Sequence, residues 1–193
     1  MEGSGSFESI YQLYKNKVFN TAIGYLQNHE DAEEITQDVF VEIYHSLHTF
    51  RGEAGLGTWI YRLTVNKSLD HLRKRNRKKR AGFLRRIMGS EPDHEAVPDF
   101  VHPGVLLENK ERSAHLFAAI QKLPETQQTA FILSRLEDLG NKEIAEIMNL
   151  SVGAVESLLS RAKENLKKYL AEDYKPEDSR RNSIKKPSNE TGR

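Results

Sequence analysis

The chain has 193 residues, 37% hydrophobic and 30% charged, which is enough apolar material for one ordinary domain or two small ones. It contains no cysteine, which excludes disulfide scaffolds, thiolate metal sites and cysteine nucleophiles. It lacks a basic-then-apolar leader, and no apolar run approaches the roughly 18 residues of a membrane span. We therefore expect a soluble, cytoplasmic protein with no membrane insertion.

The net charge of +1 hides a strong sorting of charge along the chain. Residues 1–50 carry two Lys/Arg and eight Asp/Glu, a net of −6. Residues 51–90 carry twelve Lys/Arg and two Asp/Glu, a net of +10. A nearly neutral protein of this kind can present one strongly basic surface to a polyanion.

Apolar residues recur at helical spacing and sustained strand-like alternation is missing, which predicts an all-α fold. In the N-terminal half we predict helices over residues 7–26, 31–50 and 59–77. The first ends at the polar residues 27–29, glycines within residues 51–57 separate the other two, and Thr58 is placed to cap the third.

An acidic segment rich in turn residues, 83–107, is predicted to be a flexible linker between two small helical domains. We place these domains at residues 7–82 and 108–172. Helix is expected to resume near residue 106, with a further helix over about 125–137. Residues 173–193 offer almost nothing to bury and are expected to be disordered.

Residues 140–155 have the pattern of a helix-turn-helix, two short helices that cross steeply at a tight turn. Ala145 supplies a small residue where the helices touch, and Asn149 tolerates the positive φ of the turn. Apolar anchors are expected at five positions: Ile144, Met148, Leu150, Val155 and Leu158. An ordinary helical hairpin without a DNA role is the alternative.

The second helix of this motif is predicted over residues 152–170. Its outward face carries Gly153, Ala154, Ser157, Ser160, Arg161 and Lys168. Small and hydroxyl residues allow close entry to the major groove, where Arg161 can reach a guanine edge or a phosphate. A solvated surface charge is the alternative for Arg161. Glu156 is expected near the buried flank.

Two further surfaces are predicted in the N-terminal half. The outward face of the second helix carries Glu34, Gln37, Asp38, Val41 and His45, which suits docking of a basic, partly apolar partner or is simply a solvated face. On the third helix, Arg62, Asn66, Arg73 and Arg77 share one side and lead into a basic run. This favours phosphate binding with some base readout, over a solvated tail or a nuclear-import signal.

Several of these segments together strongly resemble the extracytoplasmic-function (group 4) sigma factors of bacterial RNA polymerase, within the sigma-70 family. The segments are DAEEITQDVF at 31–40, FRGEA at 50–54, TWIYR at 58–62, LP at 123–124 and SVGAVES at 151–157. The resemblance covers roughly residues 7–80 and 108–170. It departs from many family members at Glu156 and Leu158, where they carry basic residues.

The resemblance implies that the five outward residues of the second helix contact the β′ clamp helices of core RNA polymerase. It implies that the loop at 51–57 and the next helix recognise and melt the −10 promoter element, with a flipped base read in that loop. The implied −10 contacts are Arg51, Arg62, Asn66, Arg73, Lys74 and Arg77. The second domain would read duplex −35 DNA and meet the β flap, the linker would enter the RNA exit path, and an anti-sigma factor is an expected partner.

We expect neither an enzyme nor a cofactor or metal site. Acids on helix surfaces are common, and seven scattered histidines form no recognisable triad or closed ligand set. The alternative function is a stand-alone helix-turn-helix transcriptional regulator with an N-terminal interaction domain, which binds an operator, usually as a dimer on a palindrome. A sigma factor is instead expected to be monomeric when free and to bind promoter DNA together with polymerase.

Overall fold

A computed structural model describes residues 3–50, 52, 55–87 and 110–173 of the chain, and every regular element in these ranges is helical. The α-helices are α1 (Gly3–Leu26), α2 (His29–Ser46), α3 (Leu56–Ile87), α4 (Lys110–Gln121), α5 (Glu125–Arg135), α6 (Asn141–Met148) and α7 (Val152–Asp173), with a short 3-10 helix at Leu47–Thr49. The predicted all-α fold is confirmed.

Helices α1, α2 and α3 pack together as the N-terminal domain, with Val18, Ile43 and Ile60 almost fully buried between them. The predicted break after α1 is confirmed. Gln27 adopts a positive φ of 53°, and the Asn28 side-chain oxygen accepts a hydrogen bond from the Asp31 N–H at 2.8 Å. This N-cap begins α2.

Two predictions about α3 were wrong. The helix begins at Leu56, because the Gly55 carbonyl accepts the Trp59 N–H at 3.0 Å, so Thr58 lies in the first turn and does not cap it. The helix also extends to Ile87, ten residues beyond the predicted end and into the segment assigned to the linker. Lys and Arg are good helix formers, so their propensity outweighs the repulsion within the basic run.

Helices α4 to α7 form the C-terminal domain, where Ile132, Ile144 and Val155 are completely buried. Helix α5 ends at Arg135, two residues earlier than predicted, and Asp138 adopts a positive φ of 53° in the following turn. The rest of the predicted linker, the expected resumption of helix near residue 106 and the predicted disordered tail after Asp173 lie outside the described residues.

The most extensive contacts between the two domains join α1 with α5 and α3 with α6. This packing creates a cleft between α3 and the C-terminal domain, and the cleft contains several of the predicted DNA contacts. None of the described helices is both long and apolar enough to cross a bilayer.

Candidate nucleic-acid and polymerase interfaces

The turn between α6 and α7 has the predicted helix-turn-helix geometry. Asn149 ends α6 in the left-handed region, at φ 54° and ψ 49°, and its N–H donates to the Glu146 carbonyl at 3.2 Å. Ala145 is buried at this crossing, as expected for a small residue. Ser151 then starts α7, because its hydroxyl oxygen accepts the Ala154 N–H at 3.2 Å.

Four of the five expected apolar anchors of this motif are buried or half-buried, and Leu150 is the exception. Its side chain is 41% exposed, so it was wrongly predicted to be an anchor. The backbone of Leu150 holds the turn instead, since its N–H donates to the Ala145 carbonyl at 2.9 Å. A hydrogen bond from a backbone N–H to the carbonyl five residues earlier closes the C-terminus of a helix and does not depend on the side chain.

The outward face of α7 is where the sequence places it. Gly153, Ser157, Ser160, Arg161 and Lys168 are exposed, and Ala154 is half-buried. A Cβ added at Gly153 would meet nothing within 4 Å, so this end of the face is open to an approaching surface. Glu156 is exposed as well, not on the buried flank as predicted, so its carboxylate borders the candidate −35 surface.

The cleft between the domains brings together three of the six predicted −10 contacts: Arg62, Asn66 and Arg73. The cleft has a volume of about 550 Å³, and Glu125 and Asn149 line its opposite wall. Both arginines are engaged across it. Arg62 donates to the Glu146 and Ile147 carbonyls, and Arg73 donates to both Glu125 carboxylate oxygens, at 2.7 and 3.2 Å.

The other predicted −10 contacts lie elsewhere. Lys74 lines a separate groove between α2 and α3, next to Asp38 and Lys78, and Arg77 is exposed further along α3. Arg51 lies outside the described residues. Within its loop, Gly52 has a φ of +71°, a conformation that favours glycine.

The predicted polymerase face of α2 is fully presented to solvent. Glu34, Gln37, Asp38, Val41 and His45 are all exposed, with Val41 at 56%. On the opposite side of α2, Ile35, Val39 and Ile43 are buried, which fixes this orientation.

An aromatic border to this face was not predicted from the sequence. Gln37, Val41 and His45 share an apolar groove with residues of α1 and α2, namely Phe7, Tyr11, Phe40 and Tyr44. Phe7 and Tyr44 meet edge to face with their ring centroids 5.3 Å apart, and Tyr44 remains 65% exposed. The spacing of Phe7 and Tyr11, one turn apart at the start of α1, was the available signal.

Comparison with known proteins agrees with this two-part arrangement. Residues 10–78 match the family model Sigma-70 region 2, and residues 115–166 match Sigma-70, region 4. The RNA polymerase sigma-H factor of Pseudomonas aeruginosa is 30% identical over 173 residues, covering 86% of each chain. The ECF RNA polymerase sigma factor SigW of Bacillus subtilis is 31% identical over 169 residues, 86% of this chain and 89% of the relative.

The chain belongs to the extracytoplasmic-function RNA polymerase sigma factors. Solved structures share the fold of this sigma factor. CnrH in complex with the cytosolic domain of CnrY superposes with a TM-score of 0.61 at 20% identity, covering 86% of this chain and 88% of that one. The sigma factor RpoE in complex with the anti-sigma factor NepR from Bartonella quintana gives 0.62 at 22% identity, covering 86% and 97%. The family models and the curated relatives do not favour a stand-alone regulator.

Proposed function

We propose that this sigma factor docks on core RNA polymerase through the exposed face of α2 and reads promoter DNA with two further surfaces. The outward face of α7 would read the −35 element as duplex. Helix α3, with the loop before it, would bind and open the −10 element. In this proposal the N-terminal domain, through α3, and the C-terminal domain, α4 to α7, act on different promoter elements.

One observation supports the proposal: this family member presents guanidinium and amide groups on one helix and small and hydroxyl residues on another. Arg62, Asn66 and Arg73 lie together on α3, whereas the small and hydroxyl residues lie on α7. Guanidinium and amide groups suit an unstacked strand, whose phosphates and base edges are both accessible. A helix face of small residues suits the major groove of a closed duplex.

The acidic and apolar character of the α2 face supports its role in polymerase binding. Glu34 and Asp38 are exposed within the two turns of α2 that precede Val41, and Tyr11 and Tyr44 add exposed aromatic surface. A basic helix with apolar residues would complement both features. We place the β′ clamp helices here and the β flap on the C-terminal domain.

We also propose that this chain carries no catalytic group of its own and acts in the cytoplasm as a monomer when free. It would determine which promoters the polymerase selects and would help to open the promoter DNA. An anti-sigma factor is a proposed partner, because a relative of the same fold is described in complex with one. Such a partner would control access to the polymerase face.

The test begins with purified protein, sigma-free core polymerase from its own host and fragmented host DNA. Sequencing of transcript 5′ ends should reveal discrete starts that share −35 and −10 elements upstream. One such promoter is then prepared both as closed duplex and with the −10 region pre-melted. Asn66→Ala should lower transcription from the duplex about tenfold or more, and from the pre-melted template much less.

The matched control is Asn76→Ala, the same change on the same helix at an exposed position that does not line the cleft. It should leave both templates active. Equal losses of Asn66→Ala on both templates would contradict a role in strand opening. An absence of new starts with folded wild-type protein would contradict the proposed function as a whole.

A further inference from the structure

Glu156 places an exposed carboxylate on the helix that we propose reads the −35 element. It is the only acidic residue of α7 between Val152 and Lys163. Gly153 and Ser160 lie one turn before and one turn after it on the same side of the helix, so Glu156 borders the proposed −35 surface. DNA phosphates repel a carboxylate, and such a group therefore weakens binding unless it accepts a hydrogen bond from the DNA.

No contact within the described part of the chain accounts for this carboxylate, which has neither a hydrogen bond nor an ion pair there. The positions one turn away are Val152, Gly153, Leu159 and Ser160, and none of them carries a cation. The first turn of α7 contains no acidic residue, so Glu156 lies beyond the turn in which a helix dipole attracts a carboxylate. Its side chain is therefore available to a partner.

The neighbours of Glu156 leave room for a base edge. A Cβ added at Gly153 would meet nothing within 4 Å, and the short side chain of Ser160 is exposed. The Ser157 hydroxyl donates to the Gly153 carbonyl of its own helix at 2.9 Å. Glu156 is the longest of these side chains, and it lies in the N-terminal part of the helix, which is the part of a recognition helix that contacts base edges.

The chemistry of a carboxylate limits the bases that Glu156 could read. An ionised carboxylate accepts hydrogen bonds and donates none. In the major groove, guanine presents two acceptors, and thymine presents an acceptor and a methyl group. Adenine presents its N6 amino group beside the N7 acceptor, whereas cytosine presents its N4 amino group without an acceptor of its own. Cytosine is therefore the base that a carboxylate approaches with the least repulsion.

We propose that Glu156 specifies a cytosine in the −35 element by accepting a hydrogen bond from the N4 amino group of that base. The same carboxylate would reject guanine and thymine at this position, because their acceptors would face its negative charge. The inference rests on the proposed function, because it takes α7 to be the −35 helix. It deepens that function by assigning one base of the element to one side chain.

The test uses core polymerase reconstituted with the full-length protein and a library built on one of its promoters. The −35 region is randomised, the −10 element is kept, and each template carries a barcode in its transcribed part. Sequencing of the transcripts then gives the preference for each base at each −35 position.

The informative variants are Glu156→Ala and Glu156→Gln, and the position is exposed, so both should fold and bind core polymerase normally. The matched control is Glu164→Gln, the same change at another exposed position about two turns further along α7. The control also loses one negative charge from α7. It should leave every base preference unchanged, because a general change in charge alters binding uniformly across sequences.

We expect the wild-type protein to prefer cytosine at one −35 position by about fivefold or more over each other base. Glu156→Ala should abolish the preference at that position and keep the preferences at the others. Glu156→Gln should change it to adenine, since a side-chain amide can bond adenine N6 and N7 together.

A cytosine preference that survives in Glu156→Ala would overturn the assignment. Preferences that weaken equally at all −35 positions in this variant would also overturn it, because they would show a general effect of charge or folding. A wild-type protein that prefers particular bases in the −35 region, but cytosine at none of them, would contradict the inference and leave the proposed function intact. A wild-type protein with no base preference in this region would instead contradict the proposed function of α7 itself.

Discussion

At the scale of single residues, Asn149 shows most clearly how the type of side chain suits the backbone conformation at its position. Its φ of 54° lies where a Cβ costs energy, and asparagine tolerates this region better than most residues. The left-handed turn aligns α7 against α6, so the residue controls the orientation of the proposed recognition helix.

Asn149→Val should therefore lower the free energy of unfolding by about 1–2 kcal/mol, because a β-branched side chain clashes in this conformation. Asn149→Gly should stay close to wild type, since glycine adopts positive φ freely. Urea unfolding of the three proteins checks this. Equal stability of the valine and glycine variants would show that the turn does not depend on the left-handed conformation.

Sequence predicts such residues well when the local backbone alone decides their role, as for Asn149 and the helix break at Gln27 and Asn28. It predicts them poorly when packing between helices decides. Tyr44 was missed because its exposure beside Phe7 depends on how α1 crosses α2. Leu150 was misassigned because an apolar type indicates burial, whereas only its N–H is used in the turn.

At the scale of helices, α2 and α7 present their proposed functional faces in the directions that periodicity predicted. Burial of one side of an amphipathic helix fixes the opposite side, so most outward residues could be predicted from spacing, with Glu156 of α7 as the exception. The length of α3 could not be predicted in this way. The basic run was expected to end the helix, whereas the helix propensity of Lys and Arg continues it.

The separation of these faces predicts a reciprocal pair of defects. Arg161→Ala should lower −35-dependent initiation several-fold while binding of core polymerase remains intact, since one side-chain contact to a base or phosphate is lost. Val41→Asp should weaken polymerase binding by tenfold or more and leave duplex binding unchanged, because it places a charge in an apolar contact. Both positions are exposed, so folding should be unaffected.

Polymerase affinity and binding of the isolated protein to −35 duplex are the two measurements for this pair. Loss of polymerase binding in Arg161→Ala would show that α7 has been assigned to the wrong partner. Unchanged polymerase binding in Val41→Asp would remove α2 from the docking surface.

At the scale of the whole molecule, the contact between domains was the feature that sequence could not supply. Spacing identifies the faces of each helix, but not which faces of two domains meet. Gly24 and Glu125 become informative only when Leu136 and Arg73 are seen opposite them. The acidic segment at 83–107 suggested separable domains, and the structure adds a specific closed arrangement of the described parts.

A carboxyl group at this contact should make the association of the two domains, here called closure, depend on pH. The half-buried Glu137, just after α5, accepts a hydrogen bond from the Tyr61 hydroxyl of α3 at 2.9 Å. Burial raises the pKa of Glu137 to about 7, although the Tyr61 and Thr21 hydroxyls and the Lys17 ammonium of α1 oppose the rise. Burial and this carboxyl group in turn raise the pKa of Tyr61, so the phenol keeps its proton.

The direction of the effect follows from where the proton binds more tightly. If opening returns Glu137 to its ordinary pKa of 4.5, the closed form holds the proton more strongly than the open form. Closure is then strongest below about pH 4.5, weakens as pH rises towards 7 and becomes constant above that range. Tyr14 and Glu143 also lie near Tyr61. Both raise the pKa of Tyr61, but neither contributes directly to the pKa shift of Glu137.

Energy transfer between dyes on two introduced cysteines, at the exposed positions Glu33 of α2 and Lys163 of α7, should therefore fall as pH is raised from 5 to 8, with most of the change below about 7. Glu137→Gln, which keeps an oxygen to accept the Tyr61 hydrogen bond but cannot ionise, should hold a high transfer across the range. If energy transfer in the native protein does not change with pH, Glu137 does not control the contact. If Glu137→Gln shows the same pH dependence as the native protein, another group is responsible for it.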